Sequence, residues 1–197
     1  MQDKTAILLD LDRTIFDTSK FWDDVFDAVA KIYGAEKRVE YKSVCDDVYA
    51  ATSMAMVEVA CDRTGANATE IFNKISGKYL YNDAQKFMKS HREMFILSMG
   101  DDFTQNFKMR AAKLNLPTII VDSHDKANWI MKNCFRSGKY YILDREFDTI
   151  ELYDDKISNF IGFEKLPNVS GFLIQRSGNF SGNLPTNVTA FKSFDEL

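Results

Sequence analysis

Thr5-Ala6-Ile7-Leu8-Leu9-Asp10-Leu11-Asp12-Arg13-Thr14 is an apolar run of strand length that ends in two aspartates one residue apart, followed by a threonine. Its unbroken apolar character suits a strand covered on both faces, as in a parallel sheet. Side chains alternate along a strand, so Asp10 and Asp12 share a side and stand as neighbours at its carboxyl end. That end is where open α/β sheets place ligands. Two close carboxylates repel, so either one takes a proton or a cation sits between them. The plainer reading is an acidic strand end that only caps the next helix through Asp17 or Thr18.

Downstream, the spacing predicts helix from about Ser19 to His91. Phe21, Trp22, Val25, Phe26, Val29 and Ile32 recur at helical intervals, and Gly34 ends that helix. Val44, Val48, Ala51, Ala55 and Val59 predict a second long helix closing near Gly65, with further helices over 68–75 and 83–90. At Met94 the pattern changes. Met94–Ser98, Pro117–Val121, Tyr140–Leu143, Gly171–Gln175 and a weaker Val188–Phe191 read as strands, with helices reaching Leu114 and over Lys126–Asn133 between them. This alternation implies an α/β fold: a Rossmann-like doubly wound parallel sheet, interrupted after its first strand by a helical insert. The expected division is 1–17 with 92–197 as the α/β core and 18–91 as the insert. Ser177–Asn187, rich in Gly, Ser and Asn, reads as a loop.

At 197 residues, 45% hydrophobic and 27% charged, the chain has the make-up of an ordinary globular protein. A net charge of −4 without a basic stripe argues against nucleic acid as a partner. No apolar run approaches the roughly 20 residues of a membrane helix, and the early first strand leaves no room for a signal peptide. Cys45, Cys61 and Cys134 form no paired motif, and His91 and His124 are the only histidines. The cysteines are expected to be free thiols, the compartment to be the cytoplasm, and a zinc site to be absent. The sequence is silent on oligomeric state.

The ends of the apolar runs carry the chemistry. The first ends in Asp10 and Asp12, the second in Ser98. The third leads through Asp122-Ser123-His124-Asp125 to Lys126 at a helix start, and the fourth ends in Asp144, with Asp148 four residues on. In a parallel sheet these ends converge on one edge. Their order resembles the haloacid dehalogenase (HAD) superfamily: Asp-x-Asp-x-Thr, then a Ser or Thr, then a Lys, then an acidic pair. The resemblance implies a Mg²⁺-dependent hydrolase of a small phosphomonoester, with a small phosphorylated metabolite as partner. Asp10 would be the nucleophile that forms an aspartyl-phosphate. Asp12 would protonate the leaving oxygen and then activate water. Asp10, the backbone carbonyl of Asp12, and Asp144 would hold the metal, an oxygen-ligated hard cation. Ser98 and Lys126 would grip the phosphoryl oxygens, and Thr14 would orient the first turn and belong to the phosphate-binding set. The insert resembles the helical C1-type cap, which implies a small substrate. Asp12 argues against the halide-removing branch, which lacks a second aspartate.

Two departures from the pattern stand out. Leu143-Asp144-Arg145 lacks the usual Gly-Asp or Asp-Asp, so Asp144 is read as the ligand and Asp148 as its support. Arg13 occupies a position where Gly is frequent, and fits there if its φ is negative. Lys113 and Lys132 are rivals to Lys126 that sit later in helices, and His124 is a candidate lining residue, although a lone histidine is more often structural. A phosphotransferase or mutase of the same fold, or a catalytically impaired binding protein, are the alternative functions.

Overall fold

A computed structural model describes residues 4–54, 56–123, 125–177 and 182–197. In chain order its elements are β1 (Thr5–Leu9), α1 (Thr18–Tyr33), α2 (Ala35–Thr52), α3 (Val57–Thr64), α4 (Ala68–Lys74), α5 (Asn82–Ser90), β2 (Met94–Met99), α6 (Asp102–Ala111), β3 (Thr118–Val121), α7 (Lys126–Asn133), β4 (Phe135–Arg136), β5 (Lys139–Ile142), β6 (Arg145–Phe147), β7 (Thr149–Asp154), β8 (Val169–Ile174) and β9 (Val188–Phe191). Short 3₁₀ turns lie between β7 and β8 and after β9.

The chain divides into two compact units. The first, Met1–Phe16 with Tyr81–Ser98 and Leu116–Leu197, is built on a six-stranded sheet in the order β3-β2-β1-β7-β8-β9. The pairings of β1 with β2 and β7, of β7 with β8, and of β8 with β9 are parallel. The chain runs outward from β1 to β2 and β3, then returns to the other side of β1 with β7. The strand order therefore reverses between β1 and β7, and the carboxyl ends flanking such a reversal form the ligand crevice of a doubly wound sheet. Leu9 pairs with Tyr153 across this boundary, so Asp10 and Asp154, the next residue on each strand, arrive side by side. Ala6, Leu8, Leu9, Phe95, Ile96, Leu97 and Leu152 are fully buried, which accounts for the unbroken apolar runs. Truncating one of these, such as Leu8→Ala, costs on the order of 2–5 kcal/mol.

The second unit is Asp17–Leu80 with Met99–Asn115. Its helix α1 buries Phe21, Val25, Phe26, Ala28 and Val29, one face at helical spacing. Asp17 caps α1 by accepting from the Lys20 amide, so the bland capping reading is correct for that residue. Gly34, at φ 95°, ends the helix in a conformation that disfavours a side chain. The predicted helix from Val44 to Gly65 is instead two: α2 stops at left-handed Ser53, and the Thr52 hydroxyl bonds back to the Val48 carbonyl. Thr and Ser compete with the backbone in this way and favour helix ends. Ala55 lies outside the described residues.

The unit boundaries match the expected 18–91 insert at its amino edge to within one residue and differ on its carboxyl side. Helix α5 sits in the sheet unit because Phe87 packs on Tyr153 and Phe194, at 5.0 and 4.7 Å between ring centroids. Helix α6 sits in the helical unit because Phe107 packs on Phe21 and Phe72, and the Thr104 hydroxyl accepts from the Val57 amide. Burial of aromatic faces, not chain order, decides which unit takes a helix.

The run Tyr140–Leu143 requires correction. It is not a strand of the parallel sheet: β5 is the middle strand of a separate antiparallel sheet, β4-β5-β6. Two-residue turns join these strands, Ser137-Gly138 and Leu143-Asp144, and all four residues have positive φ, as the tight hairpin turn of type I′ requires. The strand that the sequence reading passed over is β7, Thr149-Ile150-Glu151-Leu152-Tyr153-Asp154. Among the described residues, no helix is long and apolar enough to cross a membrane.

Candidate active site

Asp10 emerges from β1 nearly buried, and its amide donates to the Tyr153 carbonyl at 2.9 Å, which locks the two strand ends together. Asp154 closes β7 and Asp155 follows it. One carboxylate oxygen from each of Asp10, Asp154 and Asp155 lies within 4.8 Å of the others. Lys126, the first residue of α7 and fully buried, inserts its ammonium between two of them: Nζ donates to Asp10 Oδ1 and to Asp154 Oδ2, at 2.6 Å each. Its position follows from local chemistry, because Asp125 caps α7 by accepting from the Asn128 amide and so fixes where the helix begins.

Asp10 and Asp154 have further partners. Asp10 Oδ2 accepts from the Thr14 hydroxyl at 3.2 Å. Asp154 accepts from Asn159 Nδ2 at both oxygens, 2.8 Å each, and from the Lys156 amide at 2.8 Å. Three carboxylates thus face one ammonium, with Asp12 adding to the negative field and Arg13 opposing it at Asp155. Burial pushes the Asp10 carboxyl up to about 8, against the pull of Lys126 and with Asp154, Asp155 and Asp12 pushing the same way. Burial and Asp154 likewise push Asp155 up to about 6. Burial would discharge Lys126, but Asp10 and Asp154 outweigh it and hold the ammonium above its usual range. The site has more negative charge than its own cation neutralises.

The structure brings together Asp10, Thr14 and Lys126 from the predicted set. Asp12, half-buried and bridged to Phe16, lies in the same turn. Ser98 lies on β2, the neighbour of β1, and is buried, with no hydrogen-bond partner for its hydroxyl among the described residues. His124 lies outside the described residues.

Asp144 and Asp148 do not join the site, and both assignments are corrected. Asp144 is exposed in the β5–β6 turn. Asp148 precedes β7 at its amino end, where it accepts from the Lys4 amide and pairs with Lys139. A strand rises about 3.3 Å per residue, so the length of β7 separates Asp148 from Asp154. The residues missed were Asp154, Asp155 and Asn159. Their signal was present: β7 is a strand-forming run ending in two carboxylates, the same pattern that β1 shows. Arg13 is a further correction, since its φ is 61° rather than negative.

No protein-family model matches the chain, and no curated protein matches it. Solved structures do. A protein from Burkholderia xenovorans assigned as a haloacid dehalogenase-like hydrolase is similar over 98% of this chain and 94% of its own, with a TM-score of 0.68 and 16% identity. A protein from Bacillus subtilis assigned as a HAD hydrolase and bound to magnesium is similar over 100% and 97%, with a TM-score of 0.60 and 13% identity. A dehalogenase solved with an intermediate complex is similar over 100% and 96%, with a TM-score of 0.53 and 16% identity. The chain has the Rossmann-like fold of the haloacid dehalogenase-like hydrolases.

Proposed function

We propose that this chain is a HAD-superfamily hydrolase that cleaves a small phosphomonoester with the aid of Mg²⁺. The observation that carries the reading is the cluster of buried Asp10 and Asp154 and half-buried Asp155 around Lys126, at the strand-order reversal. Asp12, two residues beyond Asp10, favours phosphoryl over halide chemistry. The residues fit a divalent cation: the donors are all carboxylate oxygens, close together, and three carboxylates share one ammonium. Asp10, Asp154 and Asp155 would hold the ion, with Asn159 orienting Asp154. When bound, Mg²⁺ supplies positive charge that lets an anionic phosphoester approach an anionic nucleophile.

The chain's own groups account for the two steps. An Asp10 carboxylate oxygen attacks phosphorus, the bond from phosphorus to the leaving oxygen breaks, and Asp12 gives that oxygen a proton. Asp12 then takes a proton from water, the water oxygen attacks phosphorus, and the bond from Asp10 to phosphorus breaks to release phosphate. Lys126 holds Asp10 in place and offsets charge on the phosphoryl oxygens. The buried Ser98 hydroxyl is suited to hold one of them, and Thr14 fixes the rotamer of Asp10. The helical unit, read as a cap, favours a small metabolite as substrate. Three free, buried cysteines accord with the cytoplasm.

The test is phosphate release from a panel of small phosphomonoesters, with and without Mg²⁺, for wild type and Asp10→Asn. Metal-dependent turnover that disappears in Asp10→Asn is expected. Halide release from a 2-haloacid without phosphate release would overturn the reading in favour of dehalogenase chemistry. Phosphate transfer to an acceptor in place of water would make the chain a phosphotransferase.

A further inference from the structure

Arg176 lies two residues beyond β8, far along the chain from the first aspartates, yet its guanidinium is committed to their turn. Nε donates to the Thr14 carbonyl at 3.0 Å and to the Arg13 carbonyl at 3.2 Å, and Nη2 donates to the Thr14 carbonyl at 2.6 Å. Nη1 donates to both carboxylate oxygens of Asp83, at 3.2 and 3.0 Å. The guanidinium carbon stands 3.7 Å from the centroid of the Tyr81 ring. Asp83 is fixed in turn, for it accepts from the Phe194 amide at 2.9 Å. The side chains of Arg176 and Asp83 are only 18% and 9% exposed. A planar guanidinium with all three nitrogens engaged and one face stacked has little freedom left.

What it holds needs holding. Arg13 has φ 61°, a left-handed conformation that costs a residue with a side chain on the order of 1 kcal/mol. Such a conformation persists only where its surroundings impose it. The carbonyls that Arg176 grips belong to that residue and the next. Thr14 is also the residue whose hydroxyl fixes Asp10 Oδ2, and Asp12 immediately precedes Arg13.

We propose that Arg176, braced by Asp83, is a positioning residue that sets the turn from Asp12 to Thr14 and through it the aim of Asp10 and Asp12. This role rests on the phosphohydrolase reading above. It makes no contact with the reacting atoms. The guanidinium acts through backbone carbonyls and the Thr14 hydroxyl. A nucleophile displaced by a fraction of an ångström loses rate while the groups that bind substrate stay intact.

The experiment measures kcat and KM for Arg176→Met and Arg176→Lys, well below each variant's melting temperature, on whichever phosphomonoester the wild type hydrolyses best. Arg176→Met should lower kcat by about tenfold to a hundredfold, with KM changed by less than about threefold. Arg176→Lys, which keeps the charge but not the fork, should fall between Met and wild type. In a Thr14→Val background, where the hydroxyl link to Asp10 is already gone, Arg176→Met should cost distinctly less than in the wild type. A residue that only holds the fold would lower the melting temperature and leave kcat of the folded enzyme unchanged, and that result overturns the proposal. So does full additivity with Thr14→Val. If Arg176→Met does not fold, Asp83→Asn removes the brace and is expected to shift kcat in the same direction, with unchanged kcat again counting against the role. A wild type without phosphate release defeats the phosphohydrolase reading and this role with it, whereas an active wild type with fully active Arg176 variants defeats the role alone.

Discussion

Replacing Lys126 with Met keeps the length and removes the charge at the centre of the site. The ammonium is 1% exposed and lies 2.6 Å from Asp10 and from Asp154, whose side chains are 9% and 0% exposed. Removing one partner of a buried ion pair costs about 3–5 kcal/mol, because the remaining charge stays desolvated. Asp154 keeps Asn159 and the Lys156 amide, so its charge remains partly compensated. Asp10 keeps only Thr14 among these side-chain donors, so its carboxyl, pushed up to about 8 even beside Lys126, holds its proton to higher pH. For a chain of this size, about 1 kcal/mol corresponds to about 2–4 °C in melting temperature, so Lys126→Met should melt roughly 10 °C lower at neutral pH. The deficit should grow in mildly alkaline buffer, above about pH 8, where Asp10 ionises beside Lys126 but can do so in the variant only against its burial. Millimolar Mg²⁺ should raise the variant's melting temperature more than the wild type's, because the ion then replaces the positive charge lost with the ammonium. Thermal unfolding followed by circular dichroism, at two pH values with and without Mg²⁺, reads all three. An unchanged melting temperature would refute the electrostatic account of the site. A variant deficit that shrinks as the pH rises above about 8 would refute the assignment of the excess negative charge to Asp10.

Other consequences follow from the same geometry. Mg²⁺ binding should release protons between about pH 6 and 8, since Asp155 and Asp10 are pushed up to about 6 and about 8 and must ionise to bind metal. Calorimetric titration in two buffers of different ionisation enthalpy measures this, and identical apparent enthalpies would contradict it. Arg13→Gly removes the left-handed penalty but adds freedom to the unfolded chain, so stability should rise by about 1 kcal/mol or less. A clear loss in urea unfolding would mean that the Arg13 side chain contributes more than its strain costs. Asp83→Asn should destabilise by about 2–3 kcal/mol, the worth of charge-assisted bonds in a nearly buried site. Although burial opposes it, the Phe194 amide and Arg176 hold the Asp83 carboxyl below its usual range. A depressed carboxyl pKa stabilises the folded state above the unfolded value near 4, and that stability disappears as pH falls through the folded value. The gap between wild type and Asp83→Asn in urea unfolding should therefore be full at neutral pH and narrow below about pH 4; a gap independent of pH would rule the charge out as its source.

Much of the architecture was written locally. The apolar run before Asp10, the helical spacing of Phe21, Val25 and Val29, and the capping group ahead of Lys126 each depend on residues close in sequence. Strand, helix and helix start are local decisions, and they place Asp10 at a strand end and Lys126 at a helix start. They do not name the acidic partner. Tyr140–Leu143 ending in Asp144 and Thr149–Asp154 ending in Asp154-Asp155 are both strand-like runs that finish in carboxylates. The difference is which neighbour each strand pairs with. Ser137-Gly138 and Leu143-Asp144 turn the first run back on itself, while β7 pairs along its length with β1, from which it is more than a hundred residues distant in the chain. The same holds for Arg176, whose contacts with Thr14 span 162 residues. Periodicity by itself determined the α/β class and the strand that delivers the first aspartate. Long-range strand pairing and aromatic burial alone decided which carboxylates meet it, which helices join the sheet, and what holds the turn between Asp12 and Thr14, because those choices depend on surfaces that exist only once the sheet has assembled.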